Sequence, residues 1–160
     1  MSTAAGRSGI TIEPVDARSD EARALVASYL AEIQKTFGYD TTRAVPVTDE
    51  DFDPPRGRFL VVRDEHGAAV GCGAVRMLDA GTAEVKRMWV SPTMRGRSAG
   101  RALLHALESA AVELGATTGV LDTNATLTSA LALYRVNGWQ EVPPYNDNPE
   151  ATHWFRKQVT

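Results

Sequence analysis

The spacing of apolar and polar residues changes several times along the chain, and each change marks an expected element. GITIEPV, at residues 9–15, alternates as a half-buried strand does, and a helix with apolar positions 25, 26, 29, 30 and 33 follows it. RFLVVRDEHGAAVGCGAVRML, at 58–78, predicts a hairpin with its turn at His66-Gly67, and TAEVKRMWV, at 82–90, predicts a third strand. The first half is therefore expected to be a strand and a helix followed by an antiparallel sheet.

The second half of the chain alternates helical and extended patterns. Apolar positions 103, 104, 107, 111 and 114 predict a helix that Gly115 ends, and TTGVLDTN, at 117–124, reads as a buried strand. A helix stopped by Gly138 and two last strands, WQEVP and THWFRKQV, complete the chain. The predicted order is β-α-(loop)-β-β-β-α-β-α-β-β, a mixed α/β (α+β) sheet domain. We expect a flexible tail at 1–8, one domain at 9–160, and a long loop at 37–55.

Composition limits the classes of partner that the protein can bind and indicates its cellular location. The chain has 160 residues and a net charge of −3, which argues against nucleic-acid or anionic-membrane partners, because these require a basic face. It shows no signal-peptide pattern and no run of membrane-spanning length, so a cytoplasmic location is expected. Cys72 is the only cysteine and the three histidines lack ligand spacing, so no disulfide and no metal site are predicted. Cys72 is expected to be a core residue.

Cations and glycines are concentrated where the predicted strand at 82–90 leads into the next helix. The segment is RMWVSPTMRGRSAGRALL, at 87–104. A helix start offers unpaired N–H groups and a positive dipole end, and glycines allow an anion to approach the backbone. This combination predicts a phosphate site, with a solvated basic helix start as the alternative. Neither the Gly-Lys-Ser/Thr of a nucleotide P-loop nor the spacing of a dinucleotide fingerprint is present. The residues concerned are Arg95, Gly96, Arg97, Gly100 and Arg101.

The hexapeptide 95–100, Arg-Gly-Arg-Ser-Ala-Gly, resembles the Arg/Gln-x-x-Gly-x-Gly/Ala motif of the GNAT family of N-acetyltransferases. In that family this loop holds the pyrophosphate of acetyl-CoA. The resemblance extends over about 9–158: AEVKRMWVSP is similar to the central strand, LDTNATLTSALALYRVNGWQEV to the second motif, and PPYNDNPEATHWFRK to the end of a small bacterial subgroup. Ser98 stands where the family usually has glycine; serine fits if φ is negative, whereas a required positive φ weakens binding.

The resemblance implies a GNAT fold with a splayed central sheet and acetyl-CoA as cosubstrate, without a metal. It implies direct transfer of the acetyl group, in a ternary complex, to a primary amine of a small molecule. A protein N-terminus or lysine is the alternative acceptor, and a non-catalytic acyl-CoA sensor is a second alternative that Ser98 favours. Homodimers are common in the family, so a homodimer is possible. The acceptor pocket is expected from the first helix and the loops 37–55 and 143–153.

The resemblance also implies roles for single residues. The cofactor is expected to contact residues 95–101, including Ser98 and Ala99, and Asn124, which either meets the pantetheine arm or orders the splayed strands. The backbone N–H groups of Met88, Trp89 and Val90 are expected to receive the thioester carbonyl. Tyr134 matches the family tyrosine that protonates the leaving thiolate. It also continues an apolar helix stripe, so a core role stays open.

Glu84 is the candidate general base. It lies eleven positions before Arg95, a spacing that resembles family members with a glutamate base, and it would act directly or through water. The alternative is an ion pair with Arg87, Lys86 or another surface partner. Alternation along the strand places Glu84, Lys86, Met88 and Val90 on one face and Val85, Arg87 and Trp89 on the other.

Overall fold

The computed structural model describes residues 4–5, 9–40, 47–95 and 98–160. Within these residues the chain forms one eight-stranded mixed sheet and three α-helices. The strands are β1 (Ala4–Ala5), β2 (Thr11–Val15), β3 (Gly57–Arg63), β4 (Ala69–Met77), β5 (Thr82–Val90), β6 (Thr118–Thr123), β7 (Gln140–Val142) and β8 (His153–Gln158). The helices are α1 (Asp20–Phe37), α2 (Ala99–Glu113) and α3 (Thr128–Val136).

The strands lie in the order β1-β2-β3-β4-β5-β6-β8-β7, and β5–β6 is the one parallel pair among the described strands. The predicted order of elements is confirmed, with a short 3-10 helix (Asp49–Phe52) inside the expected loop. β1 is an addition, because Ala4–Ala5 pairs with β2 inside the segment assigned to the tail. The division into a tail at 1–8 and a domain at 9–160 stays a prediction.

Local chemistry sets the ends of α1, the helix that borders the site described below. The Ser19 side chain accepts a hydrogen bond from the N–H of Ala22 at 3.1 Å, which caps the helix start. At the other end Gly38 takes a left-handed φ of 70° and donates its N–H to the carbonyl of Gln34. A residue with a Cβ would resist this conformation, so Gly38 ends the helix.

The sheet is covered on both faces. On one face α1 packs over β4 and β5, and on the other α2 packs over β3, β4 and β5. Cys72 lies fully buried under α1, which confirms its core role, and burial raises the pKa of its thiol to about 12. None of the helices in the described part of the chain is long and apolar enough to cross a membrane. The α2 side of the core centres on Leu60, Val62, Val75, Leu103, Leu104 and Leu107, and the α1 side on Ala22, Leu25, Phe52, Phe59, Val61 and Ala74.

Candidate active site

The sheet opens between β5 and β6. These strands pair for three residues only, from Thr82 with Thr118 to Glu84 with Val120. Beyond that point β5 follows β4 to Val90, while β6 follows β8 to Thr123. In the described part of the chain the facing edges of β5 and β6 then lack a strand partner, and a cavity of about 430 Å³ lies between them. We call it the β5–β6 cavity.

A β-bulge in β5 changes which side chains face this opening. The register against β4 shifts between Cys72 and Ala74, and Arg87 takes a left-handed φ of 55°. The Sγ of Cys72 donates to the carbonyl oxygen of Arg87 at 3.3 Å. An extra residue in one strand sends every later side chain to the opposite face.

The predicted alternation along β5 is therefore wrong beyond Lys86. Met88 and Val90 pack into the core on the α2 side, on the same face as Val85, whereas Trp89 packs on the α1 side. Strict alternation would have placed Met88 and Val90 with Glu84. Because the faces are reversed after the bulge, the Met88 side chain lies beside the gap between β5 and β6.

A second cavity, of about 470 Å³, lies between the end of β5, the start of α2, and α3. We call it the α2–α3 cavity. The backbone segment expected to receive the thioester lines it, as do Arg95, Ser98, Gly100 and Arg101. Six residues line both cavities and so mark their junction: Tyr29, Ile33, Met88, Leu127, Ala130 and Tyr134.

Tyr134 is both a core residue and a lining residue. Its ring packs against Trp139 and Phe155, with centroids 6.3 and 5.7 Å away. Its hydroxyl donates to the Sδ of Met88 at 3.9 Å, at the junction of the two cavities. Burial raises the pKa of the Tyr134 phenol, and the negative charge of Asp122 raises it further. The phenol is therefore neutral near pH 7 and carries a proton that it can donate.

The helix start where the phosphate site was predicted is only partly within the described residues, since Gly96 and Arg97 lie outside them. Ser98 takes φ 63° and ψ 10°, the left-handed region that the sequence analysis named as unfavourable for serine, and its hydroxyl caps no N–H of α2. Ala99 points its side chain into the core, which leaves only its backbone for a ligand.

Arg95 is held by an acid on α1. Its Nη2 donates to both carboxylate oxygens of Glu32, at 2.8 and 2.6 Å, and its Nε donates to the carbonyl of Val90 at 3.1 Å. The indole N–H of Trp89 donates to the same carboxylate at 3.3 Å. Glu32 thus ties α1 to the end of β5 and fixes the predicted phosphate-binding arginine at the wall of the α2–α3 cavity. Glu32 was not predicted as a site residue, because it stands 63 positions before Arg95 and no local pattern joins the two.

Glu84 is almost fully buried, with 1 % of its surface exposed. Its Oε1 accepts from the Nε of Arg76 at 2.9 Å, and its Oε2 accepts from the hydroxyl of Tyr145 at 2.6 Å. Lys86 Nζ lies 3.5 Å from Oε2. The carboxylate is not among the groups that line either cavity. These contacts favour the ion-pair alternative, with Arg76 as the main partner, and the base role of Glu84 stays a prediction.

Asn124 ties the end of β6 to the loop before β8. Its Nδ2 donates to the carbonyl of Glu150 at 2.9 Å, and its Oδ1 accepts from the N–H and the hydroxyl of Thr126. Asn124 lines the β5–β6 cavity and is not among the residues lining the α2–α3 cavity. The contacts fit the ordering role that was left open for it, and contact with the cofactor stays a prediction.

Asp122 and Lys86 form the polar wall of the β5–β6 cavity, and the sequence analysis did not select either as a site residue. Lys86 Nζ donates to both carboxylate oxygens of Asp122, at 3.1 and 3.2 Å. The one available signal was an acid directly after the buried run Val120-Leu121, at the end of a strand. The expected lining from α1 and the two loops is present as well, through Tyr29, Phe37, Tyr39, Val47, Asn148 and Glu150.

No group of three or more His, Cys, Asp or Glu residues in the described ranges is placed to hold a metal ion. The site instead offers a narrow opening between strands, a neutral phenol at its junction, and a helix start with cationic side chains. Comparison with known proteins indicates the family. The sequence model of the acetyltransferase (GNAT) family matches residues 23–139.

Two curated relatives are acetyltransferases by name. An uncharacterized N-acetyltransferase of Schizosaccharomyces pombe is 39 % identical in an alignment of 137 residues that covers 81 % of each chain. An IAA acetyltransferase of Azospirillum brasilense is 41 % identical over 92 residues, which cover 57 % of this chain and 60 % of that protein.

Solved structures share the fold over nearly the whole chain. A protein of Klebsiella pneumoniae described as an acyl-CoA N-acyltransferase superposes with a TM-score of 0.77 at 31 % identity, over 96 % of this chain and 100 % of that one. A GNAT family acetyltransferase of Elizabethkingia anophelis with acetyl-CoA bound gives 0.68 over 95 % and 99 %, and at 17 % identity it shows the fold alone. The chain belongs to the acetyltransferase (GNAT) family, whose members use acetyl-CoA, and it is an acetyltransferase.

Proposed function

We propose that the protein transfers the acetyl group of acetyl-CoA to the primary amine of a small molecule, by direct attack in a ternary complex. One observation carries the proposal: two cavities of different lining meet at the hydroxyl of Tyr134, between strands that have separated. One cavity suits the cofactor and the other suits the acceptor. The nucleophile and the thioester would meet at the junction.

The cofactor would occupy the α2–α3 cavity. Its pyrophosphate would lie at the start of α2, where free N–H groups and the helix dipole favour anions and where Arg95 and Arg101 line the wall. Gly96, Arg97, Ser98, Ala99 and Gly100 would supply backbone contacts. Its pantetheine arm would run along the open edge of β5, with Asn124 near its end.

The thioester carbonyl would lie against the backbone of Met88, Trp89 and Val90. This part of β5 has no partner strand on its β6 side within the described residues, so that edge can serve a ligand. A backbone N–H fixed before the reaction stabilises the oxyanion without reorganisation, and the loss of one such donor typically costs about 2.7–4 kcal/mol of transition-state stabilisation.

The chemistry then needs one proton for the leaving group. The amine nitrogen forms a bond to the carbonyl carbon, the carbon–sulfur bond breaks, and Tyr134 donates its proton to the thiolate. Because the pKa of this phenol is raised, it holds that proton throughout the neutral range. The amine must also lose a proton, and a base role for Glu84 would require water or the Lys86–Asp122 pair between them, since Glu84 does not line the cavity.

One feature favours a second candidate, a sensor that binds acyl-CoA without turnover. Ser98 holds a left-handed backbone at the position where the family motif has glycine, and this strain acts against a tight phosphate loop. A sensor and an enzyme both predict binding of acetyl-CoA. Only the enzyme predicts release of free CoA when an amine is added.

The test combines binding and turnover on one preparation. Titration calorimetry with acetyl-CoA and CoA measures the cofactor site, and a thiol-release assay over a panel of primary amines measures transfer. The proposal predicts micromolar binding and amine-dependent thiol release, with the acetylated amine identified by mass spectrometry. Binding without thiol release on small amines, but with acetylation of peptides, would support the peptide alternative. Binding without acetylation of either class would support the sensor.

A further inference from the structure

We infer that Asp122 anchors the acceptor, so that the substrates are amines that bind as ammonium ions and carry a compact apolar or aromatic group. The inference rests on the proposed function and specifies its acceptor. Asp122 stands at the end of β6, its side chain is 7 % exposed, and it lines the β5–β6 cavity. It is therefore a nearly buried carboxylate on the wall where the acceptor would lie.

The carboxylate of Asp122 is fixed in place from three sides. Its Oδ2 accepts from Asn146 Nδ2 at 2.7 Å, from Asn148 Nδ2 at 3.2 Å, and from Lys86 Nζ at 3.2 Å. Its Oδ1 accepts from Lys86 Nζ at 3.1 Å. A carboxylate has about four lone-pair positions, so Oδ1 retains capacity for a further donor. The two asparagines belong to the loop before β8, which also lines the cavity through Asn148, Glu150 and Ala151.

The charge around Asp122 is negative rather than balanced. Five side chains form a continuous series of ion pairs, in the order Asp51, Arg76, Glu84, Lys86 and Asp122. The series begins and ends with an acid, so only two cations pair with three carboxylates. Tyr145 adds a neutral hydrogen bond to Glu84 and no charge. Because Lys86 is shared between two carboxylates, the charge of Asp122 is only partly neutralised and remains available to a cation in the cavity.

The other charged groups on the cavity wall do not cancel this field. Arg87 lines the cavity, but its guanidinium donates to the Oδ1 of Asp49 and to the carbonyl of Val47, each at 3.2 Å, and it stacks on Phe52 with its central carbon 5.1 Å from the ring centre. Glu150, the remaining charged side chain of the described lining, is an acid. A cationic ligand is thus the better match for this wall.

The rest of the cavity lining determines which chemical group, attached to the amine, can bind. Opposite Asp122 the wall is formed by α1 and the residues after it, with Tyr29, Leu30, Ile33, Phe37 and Tyr39. Aromatic faces and aliphatic side chains favour an apolar group, and the aromatic faces also attract a nearby cation. Burial raises the pKa of Tyr29 and Tyr39, and the charge of Asp122 is a further cause for both, so its field reaches across the cavity. A volume of about 430 Å³ suits a small ligand such as an arylalkylamine.

The test compares a cationic ligand with a neutral ligand of nearly the same shape. 2-Phenylethylamine is protonated at neutral pH, whereas 2-phenylethanol is neutral and places a hydroxyl where the amine would be. In the wild-type protein saturated with CoA, we expect calorimetry to show at least tenfold tighter binding of the amine. Equal affinities, or no binding of the amine, would overturn the inference without any variant.

The Asp122→Asn variant then assigns the preference to one residue. We expect the amine-to-alcohol affinity ratio to fall at least tenfold and, where turnover is found, the acceptor KM to rise at least tenfold. Binding of acetyl-CoA should be unchanged. Asp147→Asn removes an exposed acid of the same loop that does not line the cavity, so this control should keep the ratio. A ratio unchanged in Asp122→Asn would overturn the inference and leave Asp122 a loop anchor.

Failure of the proposed function is a separate outcome. If acetyl-CoA binds and no amine is acetylated, the transfer reaction is disproved while the binding ratio still reports on Asp122. If amines are acetylated but neutral and cationic analogues bind alike, the transferase stands and the acceptor class is wrong.

Discussion

Replacing Ser98 by glycine tests the strain at the start of α2. Ser98 has φ 63° and ψ 10°, and a left-handed conformation costs an L-residue about 1–2 kcal/mol. Glycine adopts it without that cost, but it loses about 0.5–1 kcal/mol more conformational freedom on folding. Since the Ser98 hydroxyl forms no cap hydrogen bond in α2, little else is lost. The net expectation is a gain of about 0.5–1 kcal/mol in the free energy of unfolding.

Thermal and urea unfolding of Ser98→Gly would measure this gain. For a chain of this size, 1 kcal/mol corresponds to a rise in Tm of about 2–4 °C. Ser109 provides a matched control, because it is exposed inside α2 and glycine there should lower stability by about 0.5–1 kcal/mol. Ser98→Ala keeps the Cβ and should give no gain. Equal destabilisation in Ser98→Gly and Ser109→Gly, or weaker acetyl-CoA binding in Ser98→Gly, would refute the reasoning about strain at this loop.

Three further outcomes follow from the described contacts. Because burial raises the pKa of Tyr134 above its usual value of 10, ionisation of this phenol should not lower kcat of the wild-type protein below pH 10. A fall in kcat below pH 10 that is seen in the wild type and is absent in Tyr134→Phe would mean that the phenol has an ordinary pKa. Glu84→Gln should lower the free energy of unfolding by about 1.5–3 kcal/mol, the range for a hydrogen bond to a charged group, and by no more, because Arg76 keeps Asp51 and Lys86 keeps Asp122 as a partner. An unchanged urea midpoint would contradict the buried network. Gly57→Ala would make a Cβ clash with the backbone carbonyl oxygen of Asp51, so we expect a loss of about 1–3 kcal/mol in the free energy of unfolding, and a wild-type Tm would show that this loop can move aside.

Periodicity and end signals were sufficient to predict the order of elements. The α1 cap at Ser19 and its end at Gly38 are local features, because each depends on a few consecutive residues. The proposed phosphate loop could be predicted for the same reason, since its cations and glycines are adjacent in the chain. β1 was missed because two alanines carry no alternation.

The inner wall of the site could not be predicted in this way. The bulge at Arg87 arises from the pairing of β5 with β4, and strict alternation cannot anticipate it. The contact between Lys86 and Asp122 joins residues 36 positions apart and depends on the angle at which β5 and β6 separate. Glu84 looked like a base by its spacing, whereas its burial beside Arg76 depends on the register of the hairpin.

The most direct test of the central claim is a comparison of Tyr134→Phe with the wild-type protein, measuring acetyl-CoA binding by calorimetry and kcat for the best amine acceptor on the same preparations. Phenylalanine keeps the ring that packs on Trp139 and Phe155 and removes only the hydroxyl at the junction. The account predicts a Kd within about threefold of wild type, since a hydroxyl 3.9 Å from Met88 Sδ contributes little to binding, and a kcat lowered by about 10²–10⁴-fold. A kcat close to wild type, with binding intact, would contradict the role of Tyr134 and place the leaving-group acid elsewhere.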